Sequence, residues 1–327
     1  MAKPHIVIIS PALKSANNGN WQTAWRWAHF LRQNYKVSLA QQWDGHACDA
    51  MIALHARRSG ASIAAFSAAY PARPLVVVLT GTDLYKDIDT SLEAQHSLQV
   101  ASHLVVLQPA ALPVLEKDLR NKAHVIYQSA PSLKPPAAKP IRYFDVTMIG
   151  HLRAEKDPAS FMHAAELLTL PHIRMIHIGS ALDPKLGELA KKTTQRCPQY
   201  HWLGNLAHAA TRQRLKRSHL MVITSTMEGG ANVIIEAVTS GVPVLASDIS
   251  GNRGMLGESY VGYFPLGDSS QLAQRIERAA SDTRFLQHLR KQCAARAPLF
   301  SPQRERAVLL KLVDNCLKKG THEYASR

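Results

Sequence analysis

Short apolar runs of strand-forming residues recur along this chain of 327 residues, and stretches with helical periodicity separate them. The run Leu75-Val-Val-Val-Leu79 has no polar side chain on either face, which is typical of a strand buried on both sides of a sheet. Regular alternation of strand and helix favours parallel pairing, because consecutive parallel strands need a crossover connection. We therefore predict an α/β fold of the doubly wound kind.

The alternation of strand and helix occurs twice along the chain. The first series predicts a helix at 21–31 and strands at 5–10, 35–40, 50–55, 75–80, 104–107 and 124–127. The second series predicts strands at 144–149, 173–178, 200–203, 220–224 and 243–247. Its helices are predicted at 158–170, 184–196, 209–217 and 231–240, with a closing helical region from 268–282 through 302–319. In the first helix, the spacing predicts that Trp21 and Trp25 are buried and that Trp27 points elsewhere.

A proline-rich segment separates the two series. Residues 131–140 hold four prolines, and proline stiffens the backbone because it fixes φ and lacks an amide donor. We predict one Rossmann-like domain over 1–135 and another over 141–300, with a helix at 301–327 packing back toward the first. Ligands of such sheets bind beyond the carboxyl ends of the strands, so we expect the two domains to face each other across a ligand-binding cleft.

The chain carries a large positive charge. Its 39 Lys and Arg residues exceed its 24 Asp and Glu residues, which gives a formal net charge of +15. A surplus of this size attracts anions. The charge fits an enzyme with anionic substrates as well as it fits a nucleic-acid binder.

Cysteine usage and hydropathy indicate a cytoplasmic protein. The cysteines are far apart and have no paired spacing, so we expect reduced thiols at Cys48, Cys197, Cys293 and Cys316. The apolar run at 5–10 is too short for a signal peptide, and no run approaches the roughly 20 residues that cross a bilayer. We expect no stable association with a membrane.

The most informative segment is Ser225-Thr-Met-Glu-Gly-Gly-Ala-Asn-Val-Ile-Ile-Glu236, which follows a predicted strand and opens a predicted helix. Gly229 and Gly230 permit positive φ and a close approach of the backbone to a ligand. The first-turn amides would lack helical partners and, with the helix dipole, would form an anion site at Ala231, Asn232 and Val233.

Two carboxylates flank this predicted anion site. Glu228 lies in the loop and Glu236 lies two turns into the helix, eight residues later. A carboxylate can accept hydrogen bonds from two neighbouring hydroxyls, so the pair suits a sugar and a ribose while the amides hold a diphosphate between them. A capped helix with acidic residues near its N-terminus is the simpler alternative.

The segment from Glu228 to Ser247 resembles the donor signature of retaining GT-B glycosyltransferases of the glycosyltransferase 4 class. The resemblance extends over most of the C-terminal half. It implies that Glu228 meets hydroxyls of the transferred sugar and that Glu236 meets those of the nucleoside ribose.

Two more segments are similar to the same family. Gly150-His-Leu-Arg-Ala-Glu-Lys-Asp157 resembles the family's glycine followed by Arg and Lys. The likeness implies that Arg153 and Lys156 hold the donor phosphates and act in catalysis by stabilising charge on the departing nucleoside diphosphate. A solvated basic turn is the alternative. Trp202-Leu-Gly-Asn205 resembles the loop that brackets the nucleobase, which implicates Leu203 and Gly204.

The sequence departs from the family pattern in one place. Members commonly carry a histidine after a central strand of the N-terminal half, close to the sugar. This chain has Thr80-Gly-Thr-Asp83 there. The usual sugar contact, and with it the usual stereochemical outcome, is therefore open.

The N-terminal half is expected to bind the acceptor, beginning with the segment after the first strand. Lys14-Ser-Ala-Asn-Asn-Gly-Asn20 opens the first helix. The residues able to face a phosphate or an anionic acceptor there are Lys14, Asn18, Gly19 and Asn20. A glycine-asparagine turn with an Asn cap is the alternative.

Two other segments, His55–Ser59 and Thr80–Asp83, follow predicted buried strands of the same half. His55-Ala-Arg-Arg-Ser59 places Arg57 and Arg58 where a guanidinium fork could bind an oxyanion. We expect His55, Thr82 and Asp83 to take part in acceptor binding. An N-cap role for Asp83, and an exposed turn around the arginines, are the alternatives.

Three N-terminal segments narrow the resemblance. Residues 54–59, 79–85 and 125–130, taken with the donor signature, resemble the selenosugar synthases of selenoneine biosynthesis. The likeness implies transfer of a sugar from UDP-N-acetylglucosamine or UDP-glucose to selenophosphate, with release of UDP and phosphate. An anionic acceptor would suit Arg57 and Arg58 better than a neutral sugar would.

Other classes of function remain as alternatives. A conventional glycosyltransferase acting on a hydroxyl would share every donor residue. A non-catalytic basic protein on the same fold would bind polyanions with no turnover, which the pairing of Glu228 with Glu236 disfavours. The histidines show no metal-ligand spacing and the first strand lacks a dinucleotide glycine motif, so we expect neither a metal nor a cofactor, and no nucleic acid. The oligomeric state is left open.

Overall fold

The computed structural model describes residues 2–12, 19–133 and 139–324. These residues form two compact units. The first unit holds the described residues up to Gln128 and those from Pro302 onward, and the second runs from Ser129 to Ser301. The first boundary therefore precedes the proline-rich segment, whereas the sequence predicted limits at 135 and 141.

The first unit is built on a six-stranded sheet in which all paired strands are parallel. The strands are β1 (His5–Ile9), β2 (Lys36–Ala40), β3 (Ala50–Leu54), β4 (Leu75–Leu79), β5 (His103–Val106) and β6 (Ala123–Val125). The helices are α1 (Gly19–Leu31), α2 (Gly60–Ala69), α3 (Ile88–Thr90), α4 (Leu92–Val100) and α5 (Lys117–Arg120). The strands lie in the sheet in the order β2-β1-β3-β4-β5-β6.

The second unit repeats this plan with its own six-stranded parallel sheet. The strands are β7 (Phe144–Ile149), β8 (Ile173–Ile178), β9 (Tyr200–Trp202), β10 (Leu220–Ile223), β11 (Val244–Ser247) and β12 (Tyr263–Phe264). The helices are α6 (Pro158–Leu167), α7 (Pro184–Arg196), α8 (His208–Arg217), α9 (Asn232–Thr239), α10 (Ser250–Leu256), α11 (Ser269–Ser281) and α12 (Thr283–Arg296). The strands lie in the sheet in the order β12-β11-β10-β7-β8-β9.

The central strands β3 and β4 of the first unit are apolar along their whole length because both faces of the sheet are covered. In the first unit, Val7, Met51 and Val77 belong to one buried cluster. Their strand neighbours Ile8 and Ile52 belong to another. Successive side chains of a strand point to opposite faces, so one run of apolar residues supplies two cores.

The prediction of a doubly wound α/β fold is confirmed. All eleven predicted strands occur within two residues of their predicted limits. The two-residue strand β12 was not predicted, because it is too short to show a hydrophobic pattern. Helix α6 ends at Leu167 and not at residue 170, since the amides of Thr169 and Leu170 bond the carboxylate of Glu277 instead of continuing the helix.

The predicted burial of the tryptophans in α1 was wrong. Trp27 is completely buried, whereas Trp25 is 51% exposed. The buried face of the helix instead holds Thr23, Ala24, Trp27, Ala28 and Leu31. Helical spacing allowed Trp25 or Trp27 beside Ala24 and Ala28, and a partner from the distant end of the chain decides between them.

That partner lies on the C-terminal helix α13 (Pro302–Tyr324), which packs on α1 within the first unit. The carboxylate of Glu305 is fully buried and accepts hydrogen bonds from Trp27 Nε1 at 2.7 Å and from Arg26 Nε at 2.7 Å. The Tyr35 hydroxyl donates to Asp314 farther along α13.

A membrane-spanning helix must be both long and apolar, and none of the helices in the described part of the chain meets both conditions.

Replacing Glu305 with Ala should destabilise the first unit. The change leaves the indole N–H of Trp27 and the guanidinium of Arg26 without their buried acceptor, at a cost of about 3 kcal/mol in the free energy of unfolding. Urea denaturation followed by tryptophan fluorescence measures this change. The exposed Glu116→Ala variant is the control and should change the value by less than about 0.5 kcal/mol. A loss below about 1 kcal/mol in Glu305→Ala would show that the carboxylate does not anchor the helix.

Candidate functional site

The candidate donor site lies at one edge of the second sheet. Strands β10, β7, β8 and β9 are adjacent and parallel, so the loops that follow them leave the same edge. Those loops and the first two residues of α9 contain the predicted donor residues at 228–233, 153–156 and 203–204. The topology therefore brings together segments whose outermost residues, Arg153 and Val233, are 80 residues apart in the sequence.

Two hydrogen bonds join the loop after β10 to the turn after β7. The hydroxyl of Thr224 donates to the carbonyl of Lys156 at 2.7 Å, and the amide of Thr226 donates to the carbonyl of Glu155 at 3.0 Å. Asp157, at the end of this turn, has φ of 41° and accepts a hydrogen bond from Ser160 N, which caps α6. The turn that carries the predicted phosphate ligands is thus fixed from both sides.

Glu228 is held by three neighbours. Its Oε1 accepts a hydrogen bond from the Ser225 hydroxyl at 2.6 Å and forms an ion pair with Lys156 Nζ. Gly251 of α10 lies so close that a Cβ there would be 2.0 Å from the Glu228 carbonyl oxygen. Among the described residues Glu228 Oε2 has no partner, so this oxygen is available to a ligand hydroxyl.

The amides before α9 have the arrangement of an anion site. The first helical hydrogen bonds are donated by Ile234 N and Ile235 N, both to the carbonyl of Ala231. Within the described residues, no acceptor is present for the amides of Ala231, Asn232 and Val233. Three adjacent donors at a helix N-terminus favour a phosphate group.

The expectation of positive φ at Gly229 and Gly230 was wrong. Among the described residues, the glycines with positive φ do not include these two. Gly229 is buried and Gly230 is half-buried. Their contribution is therefore the absent side chain, which leaves the backbone open to a ligand.

The turn after β7 carries two cations, Arg153 and Lys156. Arg153 is 42% exposed, and its nearest acidic partner, Glu155, is 3.9 Å away. His151 Nδ1 accepts a hydrogen bond from Ser180 N at 3.0 Å. Burial, and then the charges of Arg153 and Lys156, lower the pKa of His151. A positive potential that opposes protonation of an imidazole also attracts phosphate.

A buried histidine, His177, contacts the backbone at the start of this turn. His177 is fully buried, and burial lowers its pKa to about 4, so the ring is neutral. Its Nε2 lies 3.2 Å from the Gly150 carbonyl and must carry the proton, since a carbonyl only accepts. Its Nδ1 therefore accepts from the Tyr200 hydroxyl at 2.8 Å. A Cβ at Gly179 would meet the Gly150 carbonyl at 2.0 Å, so this approach of two loops needs glycine.

The loop after β9 lies beside Gly179. Trp202 Nε1 donates to the Gly179 carbonyl at 2.9 Å, and Gly179 N donates to the Gly204 carbonyl at 2.8 Å. Gly204 has φ of 67°, which turns the chain sharply. Leu203 is 39% exposed, so it offers an apolar surface of the kind that a nucleobase covers.

Glu236 has two basic neighbours that the sequence did not predict. Its Oε1 lies 2.6 Å from His208 Nε2. Arg212 is buried, and burial lowers its pKa while the charge of Glu236 raises it. His208 and Arg212 are four residues apart on α8 and so share a face. That spacing was visible in the sequence, but nothing in it linked α8 to Glu236.

In the first unit, Gly19 and Asn20 begin helix α1, and the predicted acceptor residues Lys14 and Asn18 lie outside the described residues. The Thr23 hydroxyl donates to the Gly19 carbonyl at 2.8 Å, and the side chain of Gln128 donates to the same hydroxyl. The start of α1 is therefore tied to the end of the sheet.

His55 and Asp83 hold loops of the first unit together. Asp83 is fully buried, and its oxygens accept hydrogen bonds from the amides of Thr80, Gly81 and Ala56. His55 has φ of 72° and a buried ring. Burial lowers the pKa of His55. Contact of these two residues with an acceptor stays a prediction, and both side chains are buried in this structure.

Around His55 the other predicted acceptor residues differ in exposure. His55 Nδ1 accepts from Arg58 N at 3.3 Å, and its Nε2 lies 3.0 Å from the half-buried Thr82 hydroxyl. Arg57 forms a 2.9 Å ion pair with Asp87, which raises its pKa. Arg58 is exposed. Asp87 was not predicted to contribute, and it leaves Arg58 as the cation better able to bind an anion.

The described residues contain no cluster of three His, Cys, Asp or Glu side chains that could hold a metal ion. The four cysteines are buried, and none of them forms a disulfide with another.

The family model for glycosyl transferases group 1 matches residues 131–299, more than half of the chain. The chain belongs to this family. A curated relative, glycosyltransferase 1 domain-containing protein 1 of Xenopus tropicalis, is 28% identical over 114 residues. That match covers 33% of this chain and only 32% of the relative.

Solved structures show the same fold. HepE of Anabaena in complex with UDP-glucose aligns with a TM-score of 0.75 at 18% identity, covering 95% of this chain and 100% of HepE. Sucrose-phosphate synthase of Thermosynechococcus elongatus aligns with a TM-score of 0.78 at 16% identity, covering 97% of this chain and 100% of the synthase. The two six-stranded parallel units are those of the GT-B glycosyltransferase fold.

The neutral state of His177 predicts a pH-dependent stability of the second unit. The unfolded chain binds a proton near pH 6.5 and the folded chain only near pH 4, so stability falls as the pH drops from 6.5 to 4. The loss amounts to about 3 kcal/mol from this group.

Two measurements check the state of His177. Nitrogen chemical shifts should show a neutral, Nε2-protonated ring at pH 5.5. Comparing urea denaturation of wild type and His177→Gln across pH 4–7 should show a shallower pH dependence in the variant, because other histidines remain in both. A ring that is protonated at pH 5.5 would contradict the prediction.

Gly251→Ala should disturb the position of Glu228. The new Cβ would meet the Glu228 carbonyl at 2.0 Å, and backbone on both sides prevents easy relief. We expect at least tenfold weaker binding of UDP, measured by calorimetry, with a circular-dichroism spectrum that retains the fold. Unchanged affinity would mean that the loop carrying Glu228 tolerates the shift.

Proposed function

We propose that this glycosyltransferase transfers a sugar from a UDP-sugar, UDP-N-acetylglucosamine or UDP-glucose, to selenophosphate. The observation that carries the donor assignment is the pair of buried carboxylates, Glu228 and Glu236, with three unpartnered amides between them. The acceptor assignment rests on the resemblance of three N-terminal segments to selenosugar synthases and on the exposed cation Arg58.

Each part of the UDP-sugar would be bound by a different group of residues in the site. The amides of residues 231–233, the exposed Arg153 and Lys156 would bind the diphosphate. The free Oε2 of Glu228 would accept a hydroxyl of the transferred sugar, and Glu236 would accept those of the ribose. Leu203 would cover one face of the uracil. The complexes of HepE with UDP and with UDP-glucose support a uridine nucleotide as the donor on this fold.

The chemistry is a substitution at the anomeric carbon. The bond from this carbon to the diphosphate oxygen breaks, and UDP leaves with the electron pair. The selenium of selenophosphate supplies the electron pair of the new carbon–selenium bond. Water then cleaves the phosphorus–selenium bond, which gives phosphate and a selenosugar.

The basic groups of this chain would lower the barrier to loss of UDP. Lys156 and Arg153 neutralise charge that develops on the diphosphate as the bond breaks. Selenophosphate is already anionic near neutral pH, so its attack needs no strong base. Arg58 would bind the phosphoryl oxygens of the acceptor, and Arg57, paired with Asp87, would add a weaker attraction.

The decisive experiment incubates the purified protein with each UDP-sugar, with and without fresh selenophosphate. We expect UDP release that depends on selenophosphate, and a product with the mass of the selenosugar. UDP release with a hydroxyl acceptor and none with selenophosphate would replace the acceptor assignment with that of a conventional glycosyltransferase. Salt-sensitive polyanion binding without turnover of any UDP-sugar would favour a binding protein.

Variants separate the donor from the acceptor residues. Glu228→Gln should lower kcat/KM about 100-fold or more, because a charged acceptor next to the reacting sugar is lost. The exposed Glu188→Gln variant of α7 is the control and should stay within about twofold of wild type. Equal activity of the two variants would contradict the role of Glu228.

Arg58→Ala should raise KM for selenophosphate about tenfold and leave KM for the UDP-sugar unchanged. Arg32→Ala is the control, because it removes an exposed cation of the same unit that lies outside the segments predicted to bind the acceptor. An equal effect of both substitutions would mean that only the overall charge matters.

A further inference from the structure

We propose that His208 sets the recognition of the donor ribose by orienting the carboxylate of Glu236. This inference rests on the proposed function, in which Glu236 accepts the ribose hydroxyls. It assigns to a histidine of another helix the geometry of that contact, and so the preference of the enzyme for a ribonucleotide.

The first observation is the hydrogen bond itself. His208 Nε2 lies 2.6 Å from Glu236 Oε1. A carboxylate only accepts hydrogen bonds, so Nε2 carries a proton in this contact. The bond uses one lone pair of Oε1 and fixes the rotation of the carboxylate, while Oε2 has no partner among the described residues. Accepting two neighbouring hydroxyls requires such a fixed plane, since a rotating carboxylate would align with only one of them.

The second observation is the difference between the two basic neighbours of Glu236. Arg212 is buried, and its Nη2 donates to the Pro131 carbonyl at 2.7 Å. Its charge interacts with that of Glu236, and no hydrogen bond joins the two side chains among the described residues. Arg212 therefore balances the charge of the carboxylate, whereas His208 supplies the directional contact.

The third observation is the position of His208. It is the first residue of α8 and directly follows the loop after β9 that contains Leu203 and Gly204. Its side chain is 42% exposed, while that of Glu236 is 12% exposed. The ring therefore lies between solvent and the buried carboxylate, next in sequence to the loop proposed to cover the base. A nucleoside bound there would contact both.

The test measures binding of UDP and of 2′,3′-dideoxy-UDP by calorimetry. Wild type should prefer UDP by about tenfold or more, because the dideoxy nucleotide leaves Glu236 without its hydroxyls. In His208→Ala, UDP binding should weaken about tenfold and binding of the dideoxy nucleotide should stay the same. A general structural defect would weaken both nucleotides alike.

Conservative variants make the test specific to the hydrogen bond. His208→Gln places an amide N–H near the position of Nε2 and should keep most of the preference for UDP. His208→Asn is shorter and should lose it. His163→Ala removes an exposed histidine of α6 and should behave like wild type. Melting temperatures of all four confirm that the second unit remains folded.

The possible outcomes separate the two proposals. A wild type that prefers UDP, with the same preference in His208→Ala, would overturn the role of His208 and leave that of Glu236 intact. Tighter binding of UDP by His208→Ala would mean that the histidine competes with the ribose, which also overturns the inference. A wild type that binds neither nucleotide, or both equally, would refute the proposed donor site and the inference with it.

Discussion

Two hydrogen bonds between the loop after β10 and the turn after β7 hold the candidate donor site together. Thr224 and Thr226 supply them, and they bring Lys156 against Glu228. Both segments leave the same edge of the sheet because β7 and β10 are adjacent and parallel. The carboxylate, the lysine and the free amides before α9 thus derive their common position from sheet topology, which side-chain contacts then make rigid.

Charged residues of this chain seldom act alone where they are buried. Glu228 pairs with Lys156, Glu305 with Arg26, and Asp87 with Arg57. Removing such groups from water is costly, and the pairing mainly offsets that cost. What each pair contributes beyond stability is orientation. In the candidate donor site, a lysine and a serine hold one oxygen of the Glu228 carboxylate, and the other oxygen has no partner among the described residues, so the carboxylate is oriented before a ligand binds.

Strand positions could be predicted from the sequence because burial on both faces leaves an uninterrupted apolar run, as in β4. The candidate donor residues could be proposed from the sequence because glycines, carboxylates and a helix start fall within twelve neighbouring residues. Contacts between residues that are far apart in the chain could not be predicted. Trp27 is buried because Glu305, 278 residues later, accepts its N–H. His208 meets Glu236 only because α8 packs against α9, and Asp83 turns inward because the amides of two loops converge on it.

The sequence by itself determined the α/β class, the repeated series of strands and helices, and the family to which the donor motif belongs, since each depends on residues near one another in the chain. The tertiary structure decided which charged groups are free and which are paired. Arg57 and Arg58 are neighbours that the sequence does not distinguish, and both are exposed, yet among the described residues only Arg57 forms an ion pair, with Asp87. The physical reason is that hydrogen bonds and ion pairs form between groups that folding brings within about 3 Å, whatever their separation along the chain.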